Sequence, residues 1–226
     1  MSGQIRIATV YSKTLLPATN MATIRWLKIS EALAELGFHV DMIANTGNGI
    51  VQKSANLRLV PYGMTRWDEY DVIKTLFDNG FANLMRYGGG DHPFIISKLG
   101  SVVGPDDHTE GVYFFGKIRE QLFDIQKCIA EKSRYVTVLT APSRDLWIET
   151  FGNKHKLLLV PGAAEWHIPE PRLNPYSCFP EPIALYAGHI YDSSQPEINL
   201  LWKQRLNRLG SLLRKKGIRL CLLGTG

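Results

Sequence analysis

Residues Asp106, Asp107 and His108 set carboxylates beside an imidazole just after the turn Gly104-Pro105, which is the material of a general base. An ordinary polar loop has the same composition, and both readings stand. A second candidate is the loop Tyr11–Asn20, YSKTLLPATN, which follows the first apolar run. It lacks the G-x-G-x-x-G that lets a backbone approach a dinucleotide pyrophosphate, which argues against a nicotinamide enzyme. Lys13, Thr19 and Asn20, with the free amides of the helix that follows, could still hold an anion or a sugar hydroxyl. Alternatively Asn20 only caps that helix and Lys13 is only solvated. Gly88-Gly89-Gly90 could form a mobile lid or a surface turn. There is no nucleophile elbow, P-loop or H-E-x-x-H, so hydrolase and P-loop NTPase readings lose their support.

The elements that must position these residues alternate between short β-rich apolar runs and stretches of helical period. That alternation predicts an α/β fold, doubly wound around a parallel sheet. Ile5–Val10 is the first strand; Asn20 opens a helix with the apolar face Trp26, Ile29, Leu33 and Leu36, closed by Gly37. Further strands are expected at Phe38–Ala44, Asn56–Val60, Asp71–Phe77, Pro93–Leu99, Tyr135–Leu139 and Lys156–Val160. Helices are expected at Phe81–Tyr87, around Ile118, Leu122, Ile125 and Ile129, and from a Ser143 cap to Gly152. In an open α/β sheet, ligands bind at the carboxyl ends of the strands, where both candidate loops fall.

Six of the twelve prolines lie between Pro161 and Pro182, which makes 161–182 a linker between a domain at 1–160 and a second unit at 183–226. That second unit reads strand, helix, strand: Ile183–Ala187, Glu197–Lys216 and Ile218–Leu223. Such a unit cannot bury both faces of its sheet, so it is expected to be the incomplete start of a second α/β domain, or an extension packed on the first.

Composition narrows the class. The chain has 226 residues, 45% hydrophobic and 21% charged, enough for a sizeable core. Residues 1–112 hold 10 Lys and Arg against 11 Asp and Glu; residues 113–226 hold 16 against 10, so the net charge of +5 belongs to the second half. Seven basic residues and no acid lie between Leu200 and Arg219, with Leu206, Leu209 and Leu213 as the apolar stripe and Trp202 off it. A basic amphipathic helix of this kind can meet anionic lipid or a nucleic-acid backbone, or can simply present a solvated basic face. Cys128, Cys178 and Cys221 form neither a C-x-x-C nor an even set, which indicates no disulfide framework and no zinc site. With no apolar run of membrane-spanning length, the cytoplasm is the expected location, with the basic helix free to touch the inner face of the membrane.

The order of elements and three strings resemble the GT-B glycosyltransferases, in particular the retaining nucleotide-sugar transferases of family 4. Leu36-Gly37-Phe38-His39-Val40 is similar to the family's L-x-x-x-G-H-x-V, and Leu158-Leu159-Val160-Pro161-Gly162-Ala163-Ala164-Glu165 to its V-I-P-N-G-V-D. Ile183-Ala184-Leu185-Tyr186-Ala187-Gly188 through Leu222-Leu223-Gly224-Thr225-Gly226 resembles its Y-x-G-R, helix, V-G-x-G. The resemblance implies two Rossmann-like domains facing across a cleft, the first binding acceptor and the second binding the nucleotide sugar. It implies transfer of a sugar to a hydroxyl, with a carbohydrate or lipid-linked acceptor, no obligatory cofactor or metal and no nucleic acid.

By their residue types and their place after the Pro93–Leu99 strand, Asp106 and His108 are the expected catalytic pair. Lys13, Thr19, Asn20, Gly100 and Ser101 are expected on the acceptor, and Gly188, His189 and Gly224 on the donor. The departures are as specific. Pro17-Ala18-Thr19-Asn20 replaces the family's first-loop glycine pair, and Leu99-Gly100-Ser101 stands where a histidine is common. His189 stands for the first of two basic donor ligands and Gln195-Pro196 for the Lys-Gly. The paired glutamates would fall beyond Gly226, so the 226-residue chain alone is expected to transfer no sugar. The alternatives are a non-catalytic sugar or nucleotide-binding module and a GT-B-like nucleotide-sugar epimerase.

Overall fold

The computed structural model describes residues 4–11, 21–45, 49–104, 119–152, 154–161, 177, 179–187 and 196–223. They form two compact units, Met1–Ala163 and Ala164–Gly226. The first is built on β1 (Arg6–Val10), α1 (Met21–Glu35), β2 (His39–Ile43), β3 (Val51–Ser54), β4 (Leu57–Val60), β5 (Val72–Leu76), α2 (Phe77–Arg86), β6 (Ile95–Lys98), α3 (Arg119–Lys132), β7 (Tyr135–Val138), α4 (Ala141–Phe151) and β8 (Leu157–Leu159). One eight-stranded sheet runs β3-β4-β2-β1-β5-β6-β7-β8. All pairs are parallel except β3 with β4, so the α/β, Rossmann-like expectation holds.

The sheet is apolar on both faces because helices cover both. On one face Ile73, Phe81, Leu84, Ile95, Ile129, Val136 and Trp147 form a continuous core under α2, α3 and α4. On the other, α1 lays Trp26 over Met42, Leu76 and Tyr11. The buried stripe of α1 is Thr23, Trp26, Ser30 and Ala34, at helical spacing. Its polar members are satisfied: the Trp26 indole donates to Thr9 Oγ1 at 3.0 Å, and Thr9 and Ser30 share a 2.8 Å hydrogen bond. Leu36 is 74% exposed, against expectation, because ten residues of a 3.6-residue helix carry it well off the Trp26 stripe and past the last turn. Gly37, at φ +92°, ends the helix as expected, with Phe38 N–H donating to Leu33 O.

Four other expectations are corrected. The hairpin strand β3 was not foreseen; its Gln52, Lys53 and Ser54 are exposed, so no buried alternation marks it. Phe77 belongs to α2 rather than to the strand before it. Thr140, not Ser143, caps α4, accepting from Ser143 N–H at 3.2 Å, while Gly152 closes the helix at φ +68°. Gly88–Gly90 is a packed helix end rather than a lid: Gly88 has φ +85°, Gly89 N–H donates to Leu84 O, and a Cβ on Gly89 would lie 2.2 Å from Leu84 Cδ1 and 2.8 Å from the Trp67 ring.

The second unit comprises β9 (Ile183–Ala187), α5 (Pro196–Arg214) and β10 (Arg219–Leu223), with β9 and β10 parallel. Its helix turns Trp202, Leu206, Gly210 and Leu213 inward to partial burial, while Leu209 is 40% exposed. Leu209 therefore leaves the expected stripe and Trp202 joins it. On the inward side Gly210 faces Leu220: a Cβ there would meet only Leu220 Cδ2, at 3.7 Å. Gly210→Ala fits that space and removes a flexible residue from a helix interior, so it should raise stability by about 0.5–1 kcal/mol in urea titration.

Candidate functional site

The central strand β1 has β2 on one side and β5 on the other, so the chain changes direction of winding there. In an open α/β sheet that switch point leaves a crevice at the carboxyl ends of the two strands. Here β1 ends at Val10-Tyr11, and β5 passes into α2 with no intervening loop. Phe77 takes the turn at φ +57°, the sole non-glycine among the described residues with positive φ. An aromatic residue in that conformation is strained and must be held by its surroundings. Tyr11 packs edge-on against Phe77 at 5.6 Å and against Trp26 at 5.9 Å. Gly100 holds the other side: a Cβ there would lie 2.8 Å from Phe77 Cδ1.

The loop after β6 is tied to the start of α2 by one buried amide. Gln126 of α3 accepts from Val103 N–H at 3.0 Å and donates to Ser101 O at 3.0 Å and to Asp78 Oδ1 at 3.1 Å. Being 1% exposed, it fixes Gly100-Ser101 and the Asp78 carboxylate at one place on the sheet edge.

Three cations gather on the face that α1 covers. Thr9 lies on that face through its bond to Trp26, and the register puts Lys74 of β5 beside Thr9 and Lys98 of β6 beside Leu76 and Thr137. Lys98 is only 7% exposed. Burial, then the nearby Arg25 of α1, then Lys74, pull its ammonium down to about 8. Burial lowers Lys74 as well. Among the described residues, no carboxylate forms an ion pair with Arg25, Lys74 or Lys98.

A group whose folded value is depressed below the unfolded 10.5 holds fewer protons in the native state across that interval, so stability should rise as pH climbs from about 8 toward 10.5. Tyr62 and Tyr70, raised chiefly by burial, act the other way only near and above their ordinary 10. The melting midpoint should therefore be higher at pH 9 than at pH 7.5, and Lys98→Met should flatten the difference.

Of the residues expected from sequence, Gly100 and Ser101 stand at the carboxyl end of β6, Gly100 against Phe77 and Ser101 exposed with its carbonyl held by Gln126. Lys13, Thr19, Asn20, Asp106, His108, Gly188, His189 and Gly224 lie outside the described residues. Sequence reasoning missed Arg25, Lys74, Lys98, Asp78 and Gln126. A signal was present for the lysines: each interrupts an apolar run, Val72-Ile73-Lys74-Thr75-Leu76 and Ile95-Ile96-Ser97-Lys98-Leu99, inside a strand buried on both faces. Among the described residues no three His, Cys, Asp or Glu side chains gather as a metal would need, and no helix is long and apolar enough to cross a membrane.

The fold is GT-B-like, by its likeness to a solved structure. Over 99% of its length the chain is similar to sucrose-phosphate synthase from Thermosynechococcus elongatus, covering 71% of that chain at TM-score 0.58 and 14% identity. A second structure of that enzyme aligns over 73% of this chain and 91% of its own at TM-score 0.45 and 14% identity, too low a score to bear on the fold. No family model matches the sequence, and no curated protein matches it.

Proposed function

We propose that this chain serves glycosyl transfer, from a nucleotide-sugar donor to a hydroxyl acceptor, with unit 1–163 taking the acceptor and unit 164–226 contributing to the donor side. The observation that carries this reading is the GT-B-like fold shared with a sucrose-phosphate synthase, together with the β1/β5 switch point of the sheet. At that switch point the packed Tyr11, Trp26 and Phe77 give a rigid base, and Asp78 and the Gly100-Ser101 turn give polar groups that Gln126 holds in place. Rigid placement of an acceptor hydroxyl is the protein's main contribution to such a reaction, because a bound acceptor no longer has to be oriented during transfer. Asp106 and His108 are the proposed proton-handling pair, Lys13, Thr19 and Asn20 further acceptor contacts, and Gly188, His189 and Gly224 donor contacts.

Calorimetric titration with UDP, GDP and their sugars, followed by product analysis with simple sugar acceptors, tests the reading. Saturable binding of a nucleoside diphosphate supports it. Conversion of the nucleotide sugar without acceptor would point instead to an epimerase, and no nucleotide binding at all would leave a sugar-binding module.

A lipid-linked acceptor is favoured by one exposed face of α5, where Leu209 and Leu212, 40% and 53% exposed, share helical spacing with Arg205 and Arg208. Each basic residue near an anionic bilayer contributes about 1 kcal/mol. The protein should co-sediment with phosphatidylserine-containing vesicles at low salt and be released at high salt, and the variant Arg205→Glu/Arg208→Glu should not co-sediment.

A further inference from the structure

We propose that Arg25, Lys74 and Lys98 form a binding subsite for a phosphate monoester on the face of the sheet beneath α1. Four observations converge on it. The three side chains come from separate elements, α1, β5 and β6; the register sets Lys74 and Lys98 diagonally on one face, and Arg25 and Lys74 both lie close enough to disfavour the charge on Lys98. Lys98 is more than nine-tenths buried, and none of the three is paired with a carboxylate among the described residues. A buried, uncompensated cation is costly, and a fold retains such a cluster where a ligand supplies the missing charge. The first turn of α1 carries no acidic residue, so the partial positive charge of that helix terminus adds to the cluster rather than opposing it. Lastly, Lys98 is the final residue of β6, at the carboxyl edge where open α/β sheets bind ligands.

The chemistry selects phosphate over carboxylate. A carboxylate brings one negative charge and two oxygens in a plane. A phosphate monoester brings close to two charges and three oxygens pointing in different directions, which suits two ammonium groups and a guanidinium arriving from different elements. The neighbouring Thr9 and Thr137 lie on the same face by register, so the wall of the subsite is not wholly apolar. On the glycosyl-transfer reading, this makes the acceptor a phosphorylated sugar or other phosphate ester. Only that last step rests on the proposed function; the anion site itself does not.

The test is scanning calorimetry of the full chain at pH 7.0 in inorganic phosphate, against chloride of matched ionic strength. Phosphate should raise the melting midpoint and chloride should not. Lys98→Met should give a higher midpoint than the wild type in chloride, because an uncompensated buried charge is gone, and should weaken phosphate binding at least tenfold. Arg25→Gln, at a half-buried helix position, should weaken it by a similar factor without the gain in midpoint. Glucose 6-phosphate should bind more tightly than glucose, and acetate should have no effect. Equal responses to phosphate and chloride, or a Lys98→Met variant that keeps the phosphate response, would overturn the subsite. If the two variants lose binding of UDP or GDP while glucose 6-phosphate binding is untouched, the cluster serves the donor and the phosphate-monoester assignment fails. Nucleotide binding without a phosphate response removes this subsite but leaves the glycosyl-transfer reading. A phosphate response without any nucleotide binding does the reverse.

Discussion

Replacing Asp41 with alanine should lower the stability of the protein by about 3–5 kcal/mol, measured as the shift in a urea unfolding curve. Asp41 sits in the middle of β2 with no exposure, and its carboxylate collects a dense set of donors. Arg58 of β4 binds it in a fork, Nε to Oδ1 at 2.8 Å and Nη2 to Oδ2 at 2.6 Å, and the Tyr70 hydroxyl donates to Oδ2 at 2.9 Å. Arg6 Nη2 and His39 Nε2 stand at 3.8 and 3.7 Å. Removing the carboxylate leaves the buried Tyr70 phenol and the Arg58 guanidinium, 26% exposed, without their acceptor, and that uncompensated desolvation, rather than the lost attraction, makes the cost large. The sign of the coupling separates the two. Asp41→Leu combined with Arg58→Met removes donor and acceptor together and should cost far less than Asp41→Ala alone. A loss below about 1 kcal/mol in the single variant would mean that the network is ornamental.

Gly80→Ala should destabilise by about 3 kcal/mol or more, reversing the usual benefit of that change within a helix. Gly80 is in the second half of the first turn of α2, directly above the end of β1. An alanine Cβ would lie 2.4 Å from Val10 O and 3.3 Å from Tyr11 Cα. Both are backbone atoms of the central strand, so no rotamer change relieves the clash and the helix must lift. Lifting it also breaks the 3.0 Å bond from Asn83 Nδ2 to Tyr11 O and loosens the packed base at the switch point. The comparison with Gly210→Ala, which has room at 3.7 Å, makes the argument discriminating: the same substitution should have opposite signs at two helical glycines of one chain. If both stabilise, the close approach of α2 to β1 is wrong.

The strands of the main sheet were legible because their runs are short, apolar and bounded by turn residues; the expected Phe38–Ala44 and Tyr135–Leu139 differ from the observed strands only at their ends. What was not legible depends on the third dimension. The exposed hairpin strand Val51–Ser54 has no apolar alternation to announce it. Trp202 stands seven residues before Leu209 and so on the same side of α5; the period does not say which flank of that side meets the strands, and Trp202 is half-buried where Leu209 is 40% exposed. Gly100 was expected at a ligand, yet its lack of a side chain is first of all required by Phe77. Arg25, Lys74 and Lys98 are separated by 49 and 24 residues; the interrupted apolar runs mark the two lysines as unusual, but only the register of β5 and β6 brings them to one face. The Gln126 clamp joins α3 to two loops distant in sequence, and a lone glutamine in an amphipathic helix carries no sign of it.

The strand order has a consequence for how the chain can acquire its structure during synthesis. β2 is laid against β1, the β3–β4 hairpin against β2, β5 against the opposite side of β1, and then β6, β7 and β8 each against the strand before. No strand is ever inserted between two that are already joined. Each newly emerged segment therefore finds a finished edge to add to, at a ribosomal pace of about 5–20 residues per second that leaves ample time for a hairpin or a helix to form first. The vulnerable interval is the one in which β1 is paired on one side only. It opens when β2 docks and closes when Val72–Leu76 emerges, some thirty residues later and so within a few seconds of translation.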